Sequence, residues 1–234
     1  MDNKKRLLSR KFINMKESKQ ISESIQLGII LALSGGFMDA YSYVCRGQVF
    51  ANAQTGNMLL FGVHLSEGRY QAAIQHGIPV LAFTLGIALA DIVRYRFREK
   101  KKIHWRQITI LTEAIILLIV SFMPQSLNMY ANSLTSLACG IQVESFRKIN
   151  GKGIATTMCI GNLRIGTQSI CDYLHTKDKK AARKGVFYFG AIIIFVIGAI
   201  IGNKCVMLWR EKAILASSGV MLIGFFMMLE NQET

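Results

Sequence analysis

Asp39 and Glu144 are two carboxylates that lie within long apolar stretches of this 234-residue sequence. A charged group in apolar surroundings must be paired or hydrated. The two occupy nearly equivalent places in two similar halves of the chain, and a carboxylate pair there could bind a cation or carry a proton. In the alternative, structural interpretation Asp39 pairs with Arg46. Glu144 then pairs with Arg147 or Arg164, and both pairs hold helices together.

The other polar groups that could bind a solute lie mainly in two segments, the first polar segment (48–66) and the second polar segment (153–173). Both are long enough to cross a membrane, but both are polar and contain glycine in the middle. In the first half the candidate lining residues are Asn52, Gln54, Thr55, Gly56 and Asn57. In the second half they are Gln142, Thr156, Thr157, Gly161, Asn162 and Arg164. These residues either direct donors and acceptors at a permeant solute or only pack helices through small and polar groups.

Arg164 and Glu113 are the other ionisable residues that need an explanation. Arg164 is a permanent cation in a polar segment, and it could bind an anionic group or neutralise Asp39 or Glu144. Glu113 lies about a turn and a half inside the third apolar helix. We interpret Glu113 as an interface-level residue whose carboxylate reaches the polar boundary.

The distribution of charge indicates the elements that carry these residues. Apolar residues make up 51% of the chain and charged residues 18%, and the charges are crowded into a few short runs. Between the runs lie windows of roughly 17–22 apolar residues, enough to cross a hydrocarbon core of about 30 Å. This pattern excludes a soluble enzyme, a disordered chain and a disulfide scaffold. It predicts an all-α polytopic membrane protein with six transmembrane helices, at about 25–45, 74–94, 107–123, 128–147, 186–207 and 213–229.

The basic residues predict the orientation of the chain. The net charge is +14, with clusters in the tail 1–24, the loop 94–106 and the run 177–184. Lys and Arg stay on the cytoplasmic side, beside anionic inner-leaflet lipid, so we expect lipid contacts there and no nucleic-acid binding. If the tail and the loop 94–106 are both cytoplasmic, an even number of crossings separates them. The first polar segment must then be re-entrant or broken, and we expect the second polar segment to be re-entrant or broken as well. Both termini are then cytoplasmic.

Three matched blocks in the same order indicate an internal repeat. The blocks are 33–44 with 137–148, 49–62 with 154–166, and 83–91 with 195–203. We expect one transmembrane domain (25–229) of two three-helix repeats (25–123 and 128–229), followed by a short tail (230–234). Three is an odd number, so the repeats are inverted, as in transporters whose site lies at the repeat interface. The alternative is a chance alignment of glycine-rich helices.

The residue types used in metal sites and catalysis lack the required spacing. The five cysteines include no C-x-x-C pair, and the four histidines are scattered along the chain. Nothing resembles a nucleophile–base pair or a phosphate-binding loop. We therefore expect no metal, no cofactor and no enzymatic activity.

Three groups of residues resemble the YoaK-like family of uncharacterised bacterial integral membrane proteins. They are Gly36-x-x-Asp39-Ala40 in the first helix, Thr55-Gly56-Asn57 in the first polar segment, and Gly140-Ile-Gln142 with Thr156-Thr157 and Gly161 in the second half. The resemblance covers about 25–229 and implies the location and fold, since the family has no established activity. The stretch 86–96 is also similar, over a short span, to the glycine–acid–basic loop of major facilitator transporters.

These observations together predict a small inner-membrane transporter or channel for an unknown small solute, with its path between the inverted repeats. The alternative is a membrane scaffold or accessory subunit that transports nothing. Six helices leave little room for a central path, so we also consider a homodimer.

Overall fold

A computed structural model of the chain describes residues 24–97, 104–149 and 151–229. Within these ranges the fold is all-α apart from one short hairpin, as predicted. The helices are α1 Ile25–Cys45, α2 Gln54–Ser66, α3 Tyr70–Phe97, α4 Trp105–Ser121, α5 Asn128–Ser145, α6 Cys159–Thr176, α7 Lys179–Trp209 and α8 Ile214–Leu229. Short 3-10 helices span Gln125–Leu127 and Arg210–Ala213, and the strands β1 Lys148–Ile149 and β2 Lys152–Gly153 pair antiparallel.

Several predicted regions lie wholly or largely outside the described residues. They are the basic tail 1–24 except Ser24, residues 98–103 of the basic loop, and the C-terminal tail 230–234.

Capping side chains fix where several helices begin. Ser24 Oγ accepts a hydrogen bond from the Leu27 amide at 3.1 Å, so α1 begins at Ile25. His104 and Gln107 form a reciprocal capping box at the start of α4. Such contacts satisfy amides that have no partner within the helix.

Helices are present at all six predicted positions, and three helical stretches among the described residues are long and apolar enough to cross a membrane. These are Ile25–Cys45, Tyr70–Phe97 and Lys179–Leu229, of which the last contains both α7 and α8. The six crossings therefore stay a prediction.

Two helix crossings depend on glycine. α1 packs on α7, and α3 packs on α5. At each crossing a Cβ added to either glycine would overlap a backbone carbonyl of the other helix: Gly36 that of Phe195, Gly198 that of Leu33, Gly86 that of Leu137, and Gly140 that of Phe83. The backbones touch here, which only a residue without a side chain allows.

Apolar side chains form both the core and much of the outer surface, and several polar side chains are buried. Leu81 and Leu85 on α3 and Ile200 on α7 are more than half exposed. The side chains of Gln107 and Gln142 are fully buried. Large exposed apolar surfaces mark contact with a partner or a lipid phase, and here they cover the outer faces of the long helices.

Candidate functional site

The two polar segments meet at one cleft of about 670 Å³. Its polar lining comes from Asp39, Asn52, Gln54, Thr55 and Thr157. Its apolar lining includes Tyr43, Phe50, Met158, Ile160 and Phe195. Five of the predicted site residues therefore share one cavity, and they come from both halves of the chain.

The first polar segment turns back along α1 before α2 begins. The backbone amide of Asn52 donates to Asp39 Oδ1 at 2.7 Å, and Asn52 Nδ2 donates to the Gly35 carbonyl at 3.0 Å. Asp39 and Gly35 lie well before the end of α1 at Cys45. The chain that follows α1 therefore runs back beside the middle of that helix, and α2 starts there.

Asn57 closes the turn at the start of α2. Its Oδ1 accepts from the Phe50 amide at 3.0 Å, and its Nδ2 donates to the Phe50 carbonyl at 2.7 Å and to Gln54 Oε1 at 2.9 Å. Gln54 Nε2 donates to the Ala51 carbonyl at 2.7 Å and to Ser136 Oγ on α5 at 3.3 Å. Asn57 is thus buried and bonds to two lining residues, Phe50 and Gln54, without lining the cleft itself.

The second polar segment repeats part of this arrangement. Asn162 Nδ2 donates to the Ala155 carbonyl at 2.7 Å. Gln142 Nε2 on α5 donates to the Leu31 carbonyl at 3.0 Å and to Thr156 Oγ1 at 3.3 Å. Gln142, Thr156 and Asn162 are all buried, so they fix the second segment to α1 and α5.

Gly35 is the point on α1 that both segments touch. Its carbonyl accepts the hydrogen bond from Asn52. A Cβ added to Gly35 would lie 2.9 Å from Cγ2 of Thr157. The two segments therefore contact the same turn of α1.

Arg46 does not pair with Asp39, contrary to the structural interpretation of the sequence. Its guanidinium is buried and donates to the Tyr41 hydroxyl at 2.8 Å. It also donates to the end of α4 and the turn that follows: the carbonyls of Val120 (3.1 Å), Met123 (2.8 Å) and Pro124 (3.2 Å), and Asn128 Oδ1 (3.1 Å). Arg46 thus complements the negative end of a helix dipole. Within the described ranges Asp39 has no basic partner.

Glu144 lies in a separate ionic cluster. Its Oε1 is 3.3 Å from Arg94 Nη1 and 3.4 Å from Arg147 Nη2, and Arg94 also pairs with Asp91. Arg94, Glu144 and Arg147 line another cavity of about 210 Å³. The structure does not bring Asp39 and Glu144 together as a carboxylate pair, and the ion pair with Arg147 agrees with the structural interpretation.

The remaining predicted residues differ in their surroundings. Arg164 is exposed and lies outside the cleft lining, so it neutralises neither Asp39 nor Glu144. Gly56 lies under the Phe50 ring, where an added Cβ would be 2.8 Å from the ring. Gly161 has open space at the corresponding position.

Two features of the interior were not found from the sequence. Glu113 is fully buried, so its interpretation as an interface-level residue is wrong. The rings of His64 and His76 lie 5.3 Å apart, and His76 Nδ1 is 3.4 Å from Asn57 Oδ1. An apolar helix gives no amphipathic signal for the direction of Glu113, and the histidine pair depends on the α2–α3 hairpin. Among the described residues, no group of three or more His, Cys, Asp or Glu could hold a metal ion.

An apolar exterior, polar side chains buried within an apolar core and long apolar helices define a polytopic helical membrane protein. Residues 27–227 match the family described as "Protein of unknown function (DUF1275)", and the chain belongs to this family. It is similar to the "UPF0700 transmembrane protein YoaK" of Bacillus subtilis (strain 168), with 26% identity over 184 residues that cover 74% of this chain and 79% of the relative. The YoaK-like resemblance is confirmed. No solved structure matches the chain.

Proposed function

We propose that the protein is a small transporter or channel of the bacterial inner membrane, with its solute path at the cleft between two inverted repeats. The observation that carries this proposal is the cleft itself, which is lined by the tips of both polar segments and by Asp39. A scaffold has no need for two polar segments that converge on one cavity, although small residues and amides can also serve packing alone.

Matched contacts in the two halves support the inverted repeats. Gly36 touches Phe195 and Gly140 touches Phe83, while Gly198 and Gly86 touch the carbonyls of Leu33 and Leu137. These are the pairings expected if α1 corresponds to α5 and α3 to α7. The side chains of Asn57 and Asn162 each bond to a carbonyl seven residues earlier in the chain. In inverted-repeat transporters the site lies where such halves meet.

Depth and length support a re-entrant first polar segment. Gly35 lies ten residues before the end of α1, which corresponds to about 15 Å at 1.5 Å per residue, or half of a core of about 30 Å. The first polar segment contacts α1 at this depth. With 13 residues, α2 is about 20 Å long, too short to cross the core alone. Irregular backbone at this depth must be buried in protein or line a wet cavity.

The orientation proposed from the sequence places the basic clusters and both termini in the cytoplasm, beside anionic lipid. Six crossings and two re-entrant segments are consistent with the helix bounds. In this proposal the protein has no catalytic activity and no nucleic-acid partner, and two chains can associate as a homodimer.

The lining of the cleft indicates what kind of solute it would accept. Among the described residues, Asp39 is the only charged side chain on that lining. The stacked rings of Tyr43 and Phe50, with centroids 5.0 Å apart, form part of the apolar wall. A carboxylate beside aromatic rings attracts a positive charge or a hydrogen-bond donor. We therefore propose a small solute with a cationic group.

Charge movement in proteoliposomes tests this function. We would apply methylammonium, guanidinium and tetramethylammonium as probes to wild type, Asp39→Asn and the control Asp91→Asn, whose carboxylate pairs with Arg94 outside the cleft. We expect a transient or a current with at least one probe, lost in Asp39→Asn and retained in Asp91→Asn. Silence of the wild type with every probe, or an equal signal in Asp39→Asn, would contradict the proposal.

A further inference from the structure

Glu113 is a carboxyl group enclosed within the helix bundle. It lies in the middle of α4 and its side chain is 0% exposed. Within the described part of the chain, neither of its carboxyl oxygens has a hydrogen-bond partner. The proposed solute path does not use this residue.

In the part of the chain that the structure describes, no cation is hydrogen-bonded to Glu113. α8 packs along α4, and residues 214–229 contain no ionisable side chain. Arg106, two turns earlier on α4, donates to the Ser145 carbonyl at 2.9 Å and lies over the Trp105 ring.

The other elements that pack on α4 place their charged groups at its ends. The 3-10 helix Arg210–Ala213 carries charges near the carboxyl end of α4, where the Glu211 carbonyl accepts from Tyr41. On α3, Arg94 and Asp91 belong to the ionic cluster of Glu144, and His76 faces Asn57. On α5, Glu144 is in that same cluster, and the other buried ionisable group is the thiol of Cys139.

The energetics favour a neutral Glu113. An isolated carboxylate in a dry, low-dielectric interior is so costly that the group takes up a proton instead. A neutral carboxylic acid has one proton to donate and can release it only when water or an acceptor comes within reach. An ionisable residue in such a position in a membrane protein commonly marks a proton or ion pathway.

Two other buried polar groups lie in the interior and on the cleft. The Cys139 thiol on α5 is fully buried and donates to Met38 Sδ on α1 at 3.8 Å. Asn52 Oδ1, on the cleft lining, is a buried atom without a hydrogen-bond partner among the described residues. Buried polar atoms without partners therefore occur both at Glu113 and at the cleft.

We propose that Glu113 is a proton-binding site: its carboxyl carries a proton within the bundle and exchanges it with water that enters the interior. The exchange leaves a carboxylate only while water or a solute cation compensates it. The role of this proton in driving solute movement rests on the proposed function, whereas its presence on Glu113 does not.

Infrared spectroscopy of the full chain in lipid tests the proton directly. We expect the carbonyl stretch of a neutral carboxylic acid at neutral pH, shifted in D₂O because the proton exchanges. The band should disappear in Glu113→Gln and stay in Glu144→Gln and Asp39→Asn. A wild type without the band, a band unchanged in Glu113→Gln, or a band that never shifts in D₂O would overturn the proposal.

Chemical labelling tests the same proton in the wild-type protein, so the result does not depend on whether a variant folds. A hydrophobic carbodiimide reacts with protonated carboxyls in apolar surroundings, and mass spectrometry locates the adduct. We expect the adduct on Glu113 and not on Glu144, whose carboxylate is ion-paired. Labelling of Glu144 in preference to Glu113 would contradict the proposal.

Transport measurements separate the two proposals. In proteoliposomes with a pH gradient, the Glu113→Gln variant should still bind the cationic probes but lose at least tenfold of the pH-driven uptake. Uptake by Glu113→Gln that responds to the gradient as in wild type would overturn the driving role. If wild type moves no probe while the exchangeable band is present, the proposed function fails and the proton site stands.

Discussion

The two polar segments occupy corresponding places in the fold but are held by different groups. In the first, the fixing side chains belong to the segment itself: Asn52 bonds to α1, Gln54 to α5, and Asn57 closes the turn on Phe50. In the second, much of the fixing comes from outside, through Gln142 on α5 and through Tyr188, whose hydroxyl donates to the Gly153 carbonyl at 2.7 Å.

The walls that the segments contribute to the cleft also differ. The first places Asn52 and Gln54 beside Asp39, whereas the second contributes Met158 and the largely exposed Ile160. Thr157 is the polar group of the second wall, and its hydroxyl has no hydrogen-bond partner within the described ranges. The two halves thus build corresponding walls of the cleft. The charged group, Asp39, lies on the side of the first segment because the two halves differ in sequence.

The largest expected difference concerns the residues that follow α1 and α5. Arg46→Gln should lower the free energy of unfolding by about 3–5 kcal/mol, because a buried cation that satisfies the end of α4 is lost. Arg147→Gln, at a side chain that is 57% exposed, should change it by less than about 1 kcal/mol. Unfolding in mixed micelles would measure the free energy of unfolding of both variants. Similar losses would show that Arg46 does not stabilise the fold more than Arg147 does.

If the repeat is real, alanine substitutions at equivalent glycines should destabilise the two halves equally. Gly36→Ala on α1 and Gly140→Ala on α5 each force a Cβ into a carbonyl oxygen, at a cost of about 3 kcal/mol. The controls are Gly190→Ala and Gly219→Ala, where an added Cβ meets nothing within 4 Å. We expect no loss in these controls. Thermal unfolding followed by size-exclusion chromatography would compare them, and a tolerant Gly140→Ala beside an unstable Gly36→Ala would break the symmetry.

The smallest difference is expected at the two asparagines that close the turns. Asn57→Ala removes bonds to both the amide and the carbonyl of Phe50, at a cost of about 2 kcal/mol. Asn162→Ala removes its bond to the Ala155 carbonyl, at a cost of about 1 kcal/mol. The same unfolding assay ranks them, and a larger loss in Asn162→Ala would reverse the comparison.

The sequence predicted the positions of the helices better than it predicted which side chains contact each other. The length of the apolar windows predicted α1 at 25–45, as observed. Polar residues and glycine within two other windows identified the two polar segments. In each of these segments the helix begins in mid-segment. Arg46 could not be connected with α4 from the sequence, because its partners lie 74 to 82 residues away. Glu144 finds Arg94 fifty residues away for the same reason. Glu113 lies on a helix with apolar residues on most faces, so its burial follows only from how α4 packs.

Thiol accessibility most directly tests the central claim that both polar segments line a cleft that water reaches. We would treat membranes that contain single-cysteine variants with a charged methanethiosulfonate. In one variant Cys159 is the remaining native cysteine. In the other, all five native cysteines are replaced and Thr55→Cys is introduced, so that each variant has one thiol at a cleft position. The control is Leu85→Cys on the outer face of α3, where the side chain is 59% exposed. We expect modification of both cleft positions at least tenfold faster than of the control. Cleft thiols as unreactive as the control would contradict this claim.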